Sequence, residues 1–175
     1  MNSKLEAGQK FPEVKLKSLS SGEIELGSWQ GNAQWQLVVV YRGKHCPLCT
    51  KYLKELKEMK DKFESLKLDI VIVSADPEAK AKAHTKDDLD LPFRTGIDLS
   101  IEQMKTLGLY ISDPRSPKET DRPFAEPATF VIKKDQKLQI IDISNAPFAR
   151  PDLTALYNGL KFISENDYPI RGTHA

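Results

Sequence analysis

Gln36-Leu37-Val38-Val39-Val40-Tyr41-Arg42, followed by Gly43-Lys44-His45-Cys46-Pro47-Leu48-Cys49-Thr50, is the stretch whose reading decides the fold. Its first half is β-branched and nearly all apolar, the composition of a strand buried on both faces inside a parallel sheet. Gly43 ends it. Beyond the turn, Leu48, Tyr52, Leu53, Leu56, Met59, Phe63 and Leu66 recur at steps of three and four among Lys, Glu and Asp. That spacing predicts one amphipathic helix with a single apolar stripe. Pro47 suits the first helical position, where a missing N–H costs nothing. Cys46 is therefore expected at the N-cap and Cys49 in the first turn.

A thiol at such a junction meets unpaired N–H groups and the positive end of the helix dipole, which favour the thiolate. Its pKa is expected to fall below the ~8.5 of free cysteine. Arg42, Lys44 and His45 add nearby positive charge, and the cap position makes Cys46 the exposed thiol of the pair. Two intervening residues allow a Cys46–Cys49 disulfide. As half of a zinc site the motif lacks ligands, since the chain has only these two cysteines and its other histidines are His84 and His174. Two inert buried cysteines are the stronger competing reading.

Working outward, Val14–Lys17 and Glu23–Leu26 alternate polar and apolar around Ser20-Ser21-Gly22, which predicts an N-terminal hairpin. Leu68–Val73 reads as a second buried strand, and Asp76-Pro77 as the cap and first position of a polar surface helix running to about Leu89. Phe93–Ile97 is a short strand. Ser100 and Gln103 form a capping box for a helix that Gly108 closes. Residues 109–127 hold four of the 11 prolines and no sustained period, so they are expected to be a long loop. Ala128–Ile132 and Lys137–Ile143 form a hairpin, and a final helix runs from about Pro151 to Ser164. This order predicts an α/β three-layer sandwich, a mixed sheet with helices on both sides, in one domain covering 1–175.

A formal charge of +1, from 26 basic and 25 acidic residues, argues against nucleic-acid binding through a field of one sign. The longest apolar run, Leu37–Tyr41, is far short of the roughly 20 residues that span a bilayer. The start, Met1–Gly8, lacks the apolar stretch of a secretory signal, so a cytoplasmic, reducing location is expected. There, Cys-x-x-Cys reads as redox chemistry before architecture.

Gly8-Gln9-Lys10-Phe11-Pro12, the strand QLVVVYR, the turn Gly43–Thr50, Val73-Ser74-Ala75-Asp76 and Ala128-Thr129-Phe130-Val131-Ile132 resemble the peroxiredoxins in order and spacing. Within them the chain is similar to peroxiredoxin-like proteins of the alkyl hydroperoxide reductase/thiol-specific antioxidant family. The segments Ala146–Asp152 and Tyr168–Gly172 extend the likeness to the tail. The resemblance implies a thioredoxin fold with an N-terminal extension. The family carries Pro-x-x-x-Thr-x-x-Cys and a distant Arg that hold the peroxide. Here Cys49 matches the peroxidatic position, Cys46 replaces the Thr, Arg42 replaces the Pro, and Pro127 stands where the Arg would be. Both Cys46 and Pro127 point toward thioredoxins, whose cis-proline faces the sulfurs; the likeness favours a cis Glu126–Pro127 bond, and an ordinary trans proline ending the loop is the alternative.

Two mechanisms follow, with hydroperoxide reduction the favoured activity and thiol–disulfide exchange the alternative. In one, Cys49 attacks a hydroperoxide, becomes a sulfenic acid and is resolved by Cys46. In the other, Cys46 attacks a substrate disulfide and Cys49 resolves the mixed disulfide. Pro47, Arg42, His45, Thr50 and Pro127 are the expected supporting residues. Arg122 and Arg150 are further candidates for the missing Arg, behind Arg42, while Trp29 and Trp35 read as packing residues. The resemblance implies an external thiol reductant of thioredoxin, glutaredoxin or glutathione type, and a homodimer; no cofactor, nucleic acid or membrane partner is expected. A redox-inactive thioredoxin-fold binding module, gripping a partner with the 109–127 loop, is the rival from another class. Its mark would be two buried, unreactive sulfurs.

Overall fold

A computed structural model describes residues 4–175. The reading of Met1–Gly8 as lacking a leader rests partly on residues 1–3, which lie outside the described residues. Lys15–Ser18 (β1) and Glu23–Glu25 (β2) form the expected hairpin, with Leu16 opposite Ile24 and both buried. There follow β3 (Trp35–Val40), α1 (Pro47–Glu58), α2 (Lys60–Ser65), β4 (Leu68–Val73), α3 (Glu78–Lys82), a π-helical turn over 83–88, and β5 (Arg94–Ile97). The chain continues through α4 (Ile101–Thr106), β6 (Ile111–Ser112), β7 (Phe124–Ala125), β8 (Ala128–Lys133), β9 (Leu138–Ile143) and α5 (Leu153–Asn166).

Seven strands form one sheet in the order β2-β1-β5-β4-β3-β8-β9, with β6 and β7 a separate two-stranded ribbon. β3, β4 and β5 run parallel, while β8 runs antiparallel to both β3 and β9. Every residue of β3 is buried, as its unbroken apolar run requires. Its side chains alternate between two cores. Val38 and Val40 pack with Val73, Phe130 and Met104 of α4; Leu37 and Val39 pack with Leu53 and Leu56 of α1, Phe63 of α2, and Leu153 and Leu160 of α5. Burying each such side chain stabilises by roughly 1.5–3 kcal/mol. The layers are thus α1, α2 and α5 on one face and α4 on the other. Cys46 and Cys49 belong to the core under α1 and α5. Among the described residues no helix is long and apolar enough to cross a membrane.

Several expectations are corrected. The predicted single helix breaks at Met59, whose φ −94° and ψ 3° leave the helical region, yet both halves bury the same stripe. Leu48, assigned to that stripe, is exposed; Cys49 holds the inward place, one turn before Tyr52 and Leu53. Asp76 does not cap the next helix, because its carboxylate turns back to the Lys44 N–H, and Pro77 takes the cap position. That helix is short and passes into the π-helical turn. The 109–127 segment is not structureless: Ile111 and Ser112 pair with Ala125 and Phe124. The Ser100–Gln103 capping box is present, and Gly108 follows α4 at φ +68°.

Candidate active site

The two sulfurs are positioned by the turn between β3 and α1. Gly43 sits at φ +140°, and a Cβ there would lie 2.6 Å from Asp76 Oδ1. The absence of a side chain lets Asp76 reach the turn, where its Oδ2 accepts the Lys44 N–H at 2.8 Å. Cys46 then takes the extended N-cap conformation, exposed Pro47 opens the helix, and the Cys49 N–H donates to Cys46 Sγ at 3.2 Å. A sulfur here does the work that a Ser or Asp oxygen does at most helix starts.

Contrary to the expected exposure of Cys46, both sulfurs are buried, at 2% for Cys46 and 0% for Cys49. α1 presents the Cys-x-x-Cys turn inward to the same core that takes Tyr52 and Leu53. Burial alone suits inert thiols; the surrounding charges do not. The Cys46 pKa is lowered to about 6, first by a hydrogen bond from the Cys49 thiol, then by the Cys49 N–H and Arg42, which together outweigh burial. Cys49 is pushed up by the same thiol–thiol bond and by burial, against the pull of Arg150. The pair therefore shares one proton, with the anion on Cys46, and titrates as a unit.

The cations divide between the sulfurs. The β3–β8 register pairs Val40 with Ala128. Continued by two residues, it sets Arg42 opposite Glu126, and Arg42 Nε lies 3.1 Å from Glu126 Oε2. Those two atoms are not aligned for a hydrogen bond, so the approach is a charge contact. The second Glu126 oxygen accepts the Ser112 hydroxyl at 2.8 Å. Arg150, just before α5, donates to Cys49 Sγ at 3.4 Å and to the Pro147 carbonyl at 2.8 Å, and its guanidinium lies 4.3 Å from the centre of the Tyr52 ring. Arg122 is elsewhere, on Asp98, Asp121 and the Ala75 carbonyl.

Lys44 and His45 do not act as expected. The Lys44 ammonium pairs with Asp88 at 3.0 Å. His45 packs edge-on against Phe124, and burial, then the Arg42 charge, lowers its pKa, which favours the neutral ring. Thr50 hydrogen-bonds to His84 Nε2 at 2.8 Å, tying the first turn of α1 to the π-helical turn. Such turns recur at functional sites. Pro127 is not cis; no peptide bond among the described residues is. It is buried at the same end of the sheet, opposite Tyr41 if the register is continued. Trp35 is buried and donates its indole N–H to the Leu66 carbonyl, while Trp29 donates to that of Ala33. Among the described residues no three His, Cys, Asp or Glu side chains gather as a metal site would need.

The Cys-x-x-Cys turn and the strands that position it lie within a known sequence pattern. That of the AhpC/TSA family matches residues 7–141. The chain belongs to the AhpC/TSA family. It is 25% identical over 135 residues to the thiol-disulfide oxidoreductase ResA of Bacillus thuringiensis subsp. konkukian, covering 77% of this chain and 68% of that protein. Among solved structures it is similar to a cysteine-to-serine mutant of peroxiredoxin 6 from Arenicola marina, with a TM-score of 0.76 and 20% identity over 91% of this chain and 73% of that one. A peroxiredoxin-like protein from Aquifex aeolicus superposes with a TM-score of 0.73 and 18% identity, over 91% and 88% of the two chains. At these identities the structural likeness shows the thioredoxin-like fold.

Within this AhpC/TSA chain, sequence reasoning missed Glu126 and His84 as neighbours of the site and placed Arg150 behind Arg42 among the cations. Arg150 touches a sulfur 101 positions earlier, and His84 a hydroxyl 34 positions earlier. No local period signals either contact. Only the antiparallel pairing of β3 with β8 would have brought Glu126 to Arg42.

Proposed function

We propose that this AhpC/TSA-family protein is a thiol oxidoreductase that cycles between a Cys46/Cys49 dithiol and an internal disulfide. One observation carries the reading: Cys46 Sγ accepts the Cys49 N–H at 3.2 Å at the start of α1, with the Cys49 thiol and Arg42 also favouring its anion. A thiolate near neutral pH is the attacking species in exchange, and the resolving thiol lies one turn away. In the reduced protein, Cys46 attacks a substrate disulfide and Cys49 closes the ring. The likeness to a thiol-disulfide oxidoreductase supports this.

The Arg150 contact favours a second reading, hydroperoxide reduction at Cys49. Cys49, once deprotonated, attacks the O–O bond, takes one oxygen as sulfenic acid and releases the alcohol or water. Cys46 then condenses with it, expelling water, and an external dithiol returns two electrons. A guanidinium at Cys49 would stabilise both the thiolate and the departing oxygen anion. Either cycle needs a thiol donor of thioredoxin, glutaredoxin or glutathione type, which favours the cytoplasm.

Stopped-flow mixing with hydrogen peroxide and with insulin, on the wild type, Cys46→Ser and Cys49→Ser, tests both. Sulfenic acid lost only in Cys49→Ser supports peroxide reduction. Insulin reduction lost in Cys46→Ser, with peroxide ignored, supports exchange. If neither reaction occurs, the redox reading fails and a binding module remains.

A further inference from the structure

We propose that the cationic pocket beside the Cys-x-x-Cys turn binds the carboxylates of a small anionic disulfide, the class to which glutathione disulfide belongs; this rests on the exchange reading above. The pocket, about 850 Å³, is walled by Lys44 and His45 from the turn, Lys80 from α3, and Arg115, Lys118 and Glu119 from the 109–127 segment. That volume suits a ligand of peptide or drug size. Four of these six side chains are permanent cations and one is a carboxylate, in a chain whose total charge is +1. With the carboxylates that pair Lys44, Lys80 and Arg115 counted, the four cations against three anions leave a local excess of one positive charge, that of Lys118.

Three of the cations are held at the rim, Lys44 by Asp88 at 3.0 Å, Lys80 by Asp121 at 3.4 Å, and Arg115 by Glu119. The Lys44 and Lys80 pairs are exposed, and such pairs are worth about 1 kcal/mol or less, so a ligand carboxylate can take the place of Asp88 or Asp121 at little cost; Glu119 is largely buried and also accepts the Arg115 backbone N–H. Lys118 has no ion-pair partner among the described residues; only its backbone N–H is engaged, by Ser116.

The pocket lining ends at His45, one residue before the buried Cys46. The His45 ring packs 4.5 Å from that of Phe124. The Arg42 guanidinium lies 4.8 Å from the same Phe124 ring, and it is the cation that favours the Cys46 anion. One aromatic ring thus joins the pocket wall to the thiolate's support. Hydrogen peroxide carries no charge for four cations to hold. A disulfide bearing several carboxylates satisfies them while placing its sulfurs toward the turn.

The Cys46 thiolate attacks one sulfur of the bound disulfide, forming a Cys46 mixed disulfide and releasing one thiolate, which takes a proton from water. Cys49 then loses its proton, attacks Cys46 Sγ and displaces the second thiolate. Two electrons pass from the dithiol to the substrate, leaving a Cys46–Cys49 disulfide.

The test is single-turnover stopped flow on the full reduced chain, with glutathione disulfide and with uncharged hydroxyethyl disulfide, read as the ratio of the two rate constants. In Lys118→Glu, and more so in Arg115→Gln/Lys118→Glu, the ratio is expected to fall by about tenfold, the scale of electrostatic steering. It is expected to fall likewise in the wild type on raising the salt to about 0.5 M, a measurement that needs no variant. A ratio unmoved by charge reversal and by salt overturns the pocket, including the case in which both disulfides slow together. A wild type that reacts with neither disulfide overturns the exchange reading itself. One that reacts with hydroxyethyl disulfide but shows the unmoved ratio keeps that reading and loses the pocket.

Discussion

Arg150 Nη2 lies 3.4 Å from Cys49 Sγ, joining the loop before α5 to the first turn of α1 across 101 residues. The guanidinium is fixed there by the Pro147 carbonyl and by the Tyr52 ring, whose hydroxyl in turn donates to the Pro151 carbonyl at 2.7 Å. Arg42 favours the anion of the other sulfur. The opposite protonation states of two thiols in one turn follow from the hydrogen bond between them and from this division of charge.

Removing the Arg150 charge leaves Cys49 harder to deprotonate. Arg150→Gln is expected to slow closure of the Cys46–Cys49 disulfide by about tenfold, the effect of one pKa unit. Quenched-flow counting of free thiols after oxidation checks it; unchanged closure would show that the contact has no electrostatic role.

Cys46 carries a lowered pKa of about 6, so its thiolate fraction rises with pH through that value and is nearly complete at pH 7.5. Alkylation by iodoacetamide in Cys49→Ala tests the geometry without a second thiol. The midpoint should move up once the Cys49 hydrogen bond is gone, yet stay below the ~8.5 of a free cysteine, because the helix start and Arg42 remain. Arg42→Gln on that background should raise it again.

His84 is buried, and burial followed by the Lys44 charge lowers its pKa to about 4, against a smaller opposing effect of Asp88. The unfolded chain therefore takes up this proton first as pH falls below 6.5. The stability contribution is complete above that pH and is lost between about 6.5 and 4, with a total of roughly 3 kcal/mol. Urea unfolding at pH 7 and pH 4.5 should show a steeper loss in the wild type than in His84→Gln, which keeps a partner for Thr50 without a titrating ring.

At Gly43, alanine brings both a strained φ and a Cβ 2.6 Å from the Asp76 carboxylate. Gly43→Ala is expected to destabilise by about 2–3 kcal/mol, the scale of local backbone strain joined to a displaced hydrogen bond. It should also slow Cys46 alkylation, because the Lys44 N–H bond to Asp76 orients the turn. Thermal unfolding paired with alkylation rates reads both effects.

The strand–turn–helix at 36–58 was legible in the residues because its causes are local. An apolar run, a glycine, a proline at the first helical position and apolar spacing of three and four act within a few residues of chain. The same holds for the 100–103 capping box and the two hairpins. The AhpC/TSA likeness was legible in the order of these pieces.

What the chain order leaves open is which distant groups meet. Leu48 and Cys49 compete for the inward side of α1, and only packing against β3 and α5 turns Cys49 in. The end of β8 brings Glu126 to Arg42, the turn before α5 brings Arg150 to Cys49, and the π-helical turn brings His84 to Thr50. Sequence alone determined that two sulfurs share a helix start, since caps and periodicity operate over one or two turns. Tertiary structure decided which sulfur is the anion and how deeply both lie, since burial and charge depend on neighbours tens of residues away.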